Sequence, residues 1–255
     1  MKRALASVYA VLFLCAAAMG NSLTLSSSLY SSGQGGEFKV TNVNPALQLA
    51  PLGANVETEG AAFQTFCIEH AEYFAPGHTY TYDVSTVAKL GNGTASPGFD
   101  SGTTDYRGHD NMDPISPATA YLFSEFWDGT LNLAGYKYDY DNLTQRITDA
   151  GALQDALWYL EGEKTEGEIG VQAKAWADAA IDKTKGTTYL YGVRVLNLTD
   201  RNNSDGLYPS YALGIQRQDQ LVKIVPLPAA AATTLAGLGM LLAGAAIRRI
   251  RNRAA

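Results

Sequence analysis

The chain has 255 residues, of which 46% are apolar and 17% charged, and its formal net charge is −6. Ordinary Gly and Pro contents with 15 Tyr, 8 Phe and 3 Trp exclude a disordered or collagen-like chain. The length suits one large or two small domains, and the absence of a basic excess excludes charge-driven binding to nucleic acid. Six of the 19 basic residues stand at the ends: Lys2, Arg3, Arg248, Arg249, Arg251 and Arg253. The remaining 13 face all 25 acidic residues between Asn21 and Val225, so the body carries −12. An acidic body between basic, apolar ends is the pattern of an exported protein.

Residues 1–20 read as a secretory signal. Lys2 and Arg3 form its positive start, Ala4–Ala18 its apolar stretch, and Ala18-Met19-Gly20 a small-residue cleavage site. Residues 21–224 read as one domain. Ser22–Tyr30 and Glu37–Val43 are β-like and flank a Ser/Gly-rich turn. Ala61–Glu69 predicts a strand covered on both faces, and His78–Val84 a half-buried one with Tyr80 and Tyr82 inward. A helical block follows. Ser116 caps a first helix with Pro117 at its first position, which stops at Gly129. Thr148 is read as the cap of a second, running to about Glu161 on a Leu153–Leu157–Leu160 stripe. A third spans about Glu168–Lys185 and stops at Gly186. Strands return over Thr188–Leu198, Leu207–Ile215 and Gln220–Val225. Strands, then helices, then strands predict an α+β fold.

Residues 225–255 carry a Val225-Pro226-Leu227-Pro228-Ala229 motif, an apolar run over about 230–247 and an Arg-rich tail. The run is just long enough to cross a bilayer, and Arg248, Arg249 and Arg251 would hold its end in the cytoplasm. A single-pass anchor accounts for this arrangement. The order Pro-x-Pro, apolar helix, Arg cluster also resembles the PEP-CTERM sorting signal of bacterial surface proteins, with Leu227 where the commoner form has Glu. That resemblance implies an exosortase-type processing peptidase acting near Pro226, Leu227 and Pro228, and display at the cell surface or in an extracellular polysaccharide matrix.

If Cys15 leaves with the signal, Cys67 is alone in an oxidising compartment, where an unpaired thiol is a liability. It can be an inert core residue, half of an intermolecular disulfide, a nucleophile, or one end of another covalent bond. Phe66-Cys67-Ile68-Glu69 lies on the predicted strand, and Gln154-Asp155-Ala156-Leu157-Trp158 on the predicted second helix. Together they resemble the thioester domains of bacterial surface adhesins, in which an aromatic-Cys motif and a Gln-x-Ala-aliphatic-Trp motif form an internal Cys–Gln thioester. Leu153 stands where that family has Thr. The resemblance spans roughly residues 38–224 and implies a β-sandwich or barrel-like domain. It assigns the sulfur to Cys67 and the acyl carbon to Gln154, with Ala156, Leu157 and Trp158 around them. It implies covalent attachment to an amine- or hydroxyl-bearing surface or matrix ligand, in one shot rather than as a turnover enzyme.

Physical chemistry sets the same demands. An amide is a poor acyl donor, so thiol and carboxamide must be held together on rigid elements. Trp158, four residues on from Gln154, stands beside it on a helix and would shield a thioester from water. Glu69 is the nearest carboxylate in sequence and a candidate base. His70, His78 and His109 raise a Cys–His peptidase, but regular strand geometry would turn His70 away from Cys67. Asp105, Asp110, Asn111 and Asp113 read as a solvated loop, without the spacing of a calcium loop. No metal ligand set and no cofactor site are expected. The competing function is a non-covalent structural or glycan-binding matrix component with Cys67 inert.

Overall fold

The computed structural model describes residues 21–33, 35–44, 47, 49–53, 56, 61–89, 112–200 and 215–225. The signal segment, the Pro-x-Pro motif with its apolar run and Arg tail, His109, the Asp105–Asn111 loop and most of the predicted strand at Leu207–Ile215 lie outside these residues. No helix among the described residues is long and apolar enough to cross a membrane.

The fold is mixed α and β. Among the described residues ten strands run in chain order: β1 (Ser22–Ser32), β2 (Gly35–Asn44), β3 (Phe63–Thr65), β4 (His78–Ser85), β5 (Val87–Lys89), β6 (Met112–Pro114), β7 (Asn132–Leu133), β8 (Tyr136–Lys137), β9 (Val193–Asp200) and β10 (Ile215–Lys223). Three helices stand between β6 and β9: α1 (Pro117–Trp127), α2 (Leu143–Leu160) and α3 (Val171–Thr184). Six strands form one antiparallel sheet in the order β10-β9-β4-β1-β2-β3. The pairs β5–β6 and β7–β8 are small separate hairpin sheets.

The sheet curls until its two edges meet. Just past β3, Thr65 Oγ1 donates to Leu221 O at 2.6 Å, Leu221 N–H to Phe66 O at 3.0 Å and Ile68 N–H to Asp219 O at 3.1 Å. Cys67 is bridged to Gln220 of β10. The sheet is thus a nearly closed barrel with Cys67 in its seam. The long strand expected over Ala61–Glu69 is shorter than its pattern suggests: β3 ends at Thr65, and Cys67 is a single bridging residue. Residues 63–69 are all buried, as expected of a segment covered on both sides.

Period-2 patterning explains the strands. Leu23 and Leu25 of β1 and Tyr80 and Tyr82 of β4 are buried, and polar residues alternate with them. α1 starts as expected, with Ser116 Oγ accepting from Thr119 N–H and Pro117 in the first turn. α2 begins five residues before Thr148. Asn142 is its cap, accepting from Gln145 N–H, and Thr148 donates instead to Thr144 O inside the helix. The third helix is shorter than expected because Glu166–Glu168 forms a separate 3₁₀ turn before Gly170.

A buried ion pair fixes α2 on the barrel. Arg146 Nε donates to Glu37 Oε1 at 2.7 Å and its Nη2 to Glu37 Oε2 at 2.8 Å, a bidentate pair across α2 and β2. Arg146 also donates to Tyr140 O and Val56 O, and its guanidinium lies 3.9 Å from the Tyr30 ring centroid. Removing one partner strands the other charge in the interior. Arg146→Ala is therefore expected to lower unfolding free energy by about 3–5 kcal/mol in urea denaturation, and Arg146→Met with Glu37→Leu by clearly less.

Candidate functional site

The site lies where β2 and the seam part. β2 pairs with β3 only as far as Phe38 opposite Thr65. Beyond that point β2 continues to Gly35 while the other chain turns into the seam at Phe66–Ile68. Phe66 and Ile68 spend their hydrogen bonds on β10, so the N–H and C=O of Cys67 face the gap instead. Gln154 of α2 fills it. Cys67 N–H donates to Gln154 Oε1 at 3.1 Å, and Gln154 Nε2 donates to Cys67 O at 2.7 Å. The carboxamide takes the place of a neighbouring strand's peptide group. Cys67 and Gln154 are 0% and 1% exposed.

Gly35 makes room for this. A Cβ there would stand 2.3 Å from Gln154 Cγ and 2.9 Å from Trp158 Cη2. The Gly35-Gly36 pair, read in sequence only as a turn, is thus the wall against which the glutamine slides. Leu153, Ala156, Leu157 and Leu160 bury the adjoining stripe of α2, and Trp158 is buried beside Gln154 as its i+4 spacing predicts.

Sequence reasoning missed the residues supplied by β10. Its register shifts between Arg217 and Gln220, and the four consecutive polar residues Arg217, Gln218, Asp219 and Gln220 are all buried. Gln220 Nε2 donates to Cys67 Sγ at 3.3 Å and Gln218 Nε2 to Glu69 O at 2.7 Å. Asp219 N–H donates to Glu69 Oε2 at 2.8 Å. The available signal was the run Gln216-Arg217-Gln218-Asp219-Gln220, which is too polar for a strand with buried neighbours.

The seam is acidic and dry. Burial pushes the Cys67 thiol well up; the Gln220 bond opposes this, and the nearby Glu69 and Asp219 carboxyls add to it. Burial likewise raises Glu69 and lifts Asp219 to about 8. Both Asp219 oxygens accept backbone N–H groups, from Leu198 at 2.9 Å and Lys89 at 2.8 Å. Glu69 Oε1 meets no partner among the described residues. Both carboxyls are thus held above the ordinary carboxylate range, chiefly by burial.

An open cleft of about 630 Å³ reaches the site from the side of α2 and α3. Gly35, His70, Gln154, Trp158 and Lys164 line it; Glu69 does not. The strand geometry assumed for His70 does not extend to it. The chain past Cys67 leaves strand geometry, and the His70 ring returns to Trp158 with ring centroids 4.7 Å apart. His78 stands on β4 and is not a lining residue. Asp113 is buried on β6. Among the described residues, no three His, Cys, Asp or Glu side chains are placed to hold a metal ion.

No family model matches the chain, and no curated protein or solved structure matches it.

Two outcomes follow from this geometry. Gly35→Ala must push Gln154 out of the gap, so it should lower stability by about 1–3 kcal/mol and speed hydrogen exchange at the Cys67 amide. A folded domain in which Glu69 and Asp219 are both raised binds more protons than the unfolded chain above the ordinary carboxylate range. Stability should be full below about pH 4 with respect to these groups and decline as pH rises toward their raised values. Urea midpoints from pH 4 to pH 8 measure that slope, and Glu69→Gln should lessen it, Asp219 carrying the rest.

Proposed function

We propose that this is an exported surface protein that attaches covalently to a partner through a thioester between Cys67 Sγ and the acyl carbon of Gln154. One observation carries the proposal: the buried carboxamide of Gln154 is clamped on the backbone of the lone exported cysteine, on an otherwise unpaired edge. The two hydrogen bonds hold both polar atoms of the amide against the backbone of the residue that bears the sulfur. Attack of sulfur on that carbon expels ammonia and places negative charge on Oε1. Cys67 N–H already donates to that oxygen, which is where an oxyanion needs a donor. Gln220 Nε2 donates to the sulfur and opposes part of the cost of a thiolate in an acidic, dry seam. Burial on all sides but the cleft keeps bulk water from the bond, and Trp158 stands beside it.

In the proposed reaction a partner nucleophile enters by the cleft, attacks the acyl carbon and releases the Cys67 thiol. The partner's amine or hydroxyl stays joined to residue 154, so the event happens once per molecule. The N- and C-terminal segments extend the proposal. Residues 1–20 direct export, and an exosortase-type peptidase cuts near Pro226–Pro228, leaving the domain on the surface or in the matrix.

Intact-mass spectrometry tests the bond. Loss of ammonia should leave the mature domain lighter than its sequence by about 17 Da, and Cys67→Ala or Gln154→Ala should each abolish the deficit. Methylamine should add at Gln154 and expose a titratable thiol. A wild-type mass equal to the sequence mass, with Cys67 alkylated only on unfolding, would leave Gln154 a structural clamp and the domain a non-covalent matrix component. Peptide mapping of the protein from its own host tests the ends. Peptides from residues 1–20 and from beyond about residue 229 should be missing, and recovery of the Arg248–Ala255 peptide would leave a plain membrane anchor.

A further inference from the structure

His70 opens onto the same cleft as Gln154, and the reaction above gives it no task. Its ring stands edge-on to Trp158, and Trp158 and Gln154 meet at Gly35. No hydrogen bond from a described residue reaches either ring nitrogen. The charged groups around the ring come from the loop after α2, from α2 itself and from the 3₁₀ turn. Glu163 Oε2 accepts from the His70 backbone N–H at 3.3 Å, Lys164 pairs with Asp155 at 2.7 Å, and Glu168 interacts with His70 electrostatically. Lys164 Nζ lies 4.8 Å from the Trp158 ring centroid, so a cation already occupies that face.

We propose that His70 is the general base that lets an alcohol take the acyl group of Gln154. This rests on the thioester reading and names the substrate class. A free amine attacks a thioester without help, because its lone pair is available once it is unprotonated. An alcohol keeps its proton until the bond forms and needs a base in the transition state.

The step balances. The hydroxyl proton passes to the free imidazole nitrogen of His70 as the alcohol oxygen bonds to the acyl carbon. The carbon–sulfur bond breaks, and the electron pair leaves on Cys67 Sγ. The imidazolium then gives its proton to that sulfur. The products are an ester at residue 154, a Cys67 thiol and neutral His70. Return of the proton matters because the buried, acidic surroundings of Cys67 disfavour a thiolate.

The test uses glycerol and methylamine as probes on the mature protein, read by intact mass. Wild type should form the glyceryl ester near neutral pH. His70→Gln should slow ester formation by about a hundredfold or more while methylamine addition in alkaline buffer stays nearly unchanged. The same variant should prolong the life of the thioester in water, since water is also a hydroxyl nucleophile. Added imidazole should restore ester formation in His70→Ala, which a purely structural role would not allow. Equal ester rates in wild type and His70→Gln would overturn the proposal, as would parallel loss of both reactions without imidazole rescue. Absence of both the mass deficit and the methylamine adduct in wild type is a separate result: it removes the thioester itself.

Discussion

A buried backbone N–H and C=O must each find a partner, and at Cys67 the sheet supplies none. β10 takes the hydrogen bonds of the residues on either side, and the chain has already parted from β2. The gap wants one acceptor and one donor, side by side, at peptide spacing. A carboxamide offers that pair. A carboxylate would set an oxygen against Cys67 O, and Asn would fall one methylene short of the reach from α2. Much of the local architecture answers to this placement. Gly35 lacks a Cβ so that Gln154 Cγ can pass. Arg146, eight residues earlier on α2, is locked to Glu37, two residues past Gly35 on β2. The ion pair therefore sets the spacing between helix and strand at the point where the glutamine enters.

The polarity of the seam follows from β10, which is covered on both faces where it closes the barrel. Arg217, Gln218, Asp219 and Gln220 are all buried, and the last three hold Glu69 and the Cys67 sulfur. Buried carboxyls beside a thiol make its anion costly, so in the proposed chemistry a neutral acylated sulfur is the form that these surroundings favour. The same feature makes the sulfur a reluctant leaving group unless a proton reaches it. His70, which lines the cleft together with Gln154, is a titratable ring available for that transfer.

Elements whose periodicity was strong were legible in the sequence: β1, β2, β4, the Ser116-Pro117 start of α1 and the buried stripe of α2. Cys67 and Gln154 were legible because their motif residues are few and their chemistry particular, and the structure brings them into contact from 87 positions apart. What escaped was set by tertiary structure. Thr148 looks like a cap, but Asn142 sits where the chain leaves the β7–β8 hairpin and wins the helix start. His70 was misplaced by assuming that strand geometry persists past Cys67, when only the seam bridge does. Gln220 and Asp219 carried a signal in their crowded polarity, but nothing local says that a strand 150 residues on closes against Cys67.

The two hydrogen bonds at the gap also distinguish the products of the proposed reaction. Unreacted Gln154 satisfies both Cys67 N–H and Cys67 O. A thioester keeps the acyl oxygen but has no nitrogen, so Cys67 O loses its donor, a buried acceptor left unpaired at about 1–3 kcal/mol. Attack by an amine restores an N–H on the same carbon and with it the donor to Cys67 O. Attack by an alcohol does not. The amide product thus recovers the packing of the unreacted fold, whereas the ester leaves the gap half filled. A cost of this kind favours release to an amine, is left in place by release to an alcohol, and is borne by the backbone of the residue whose sulfur forms the bond.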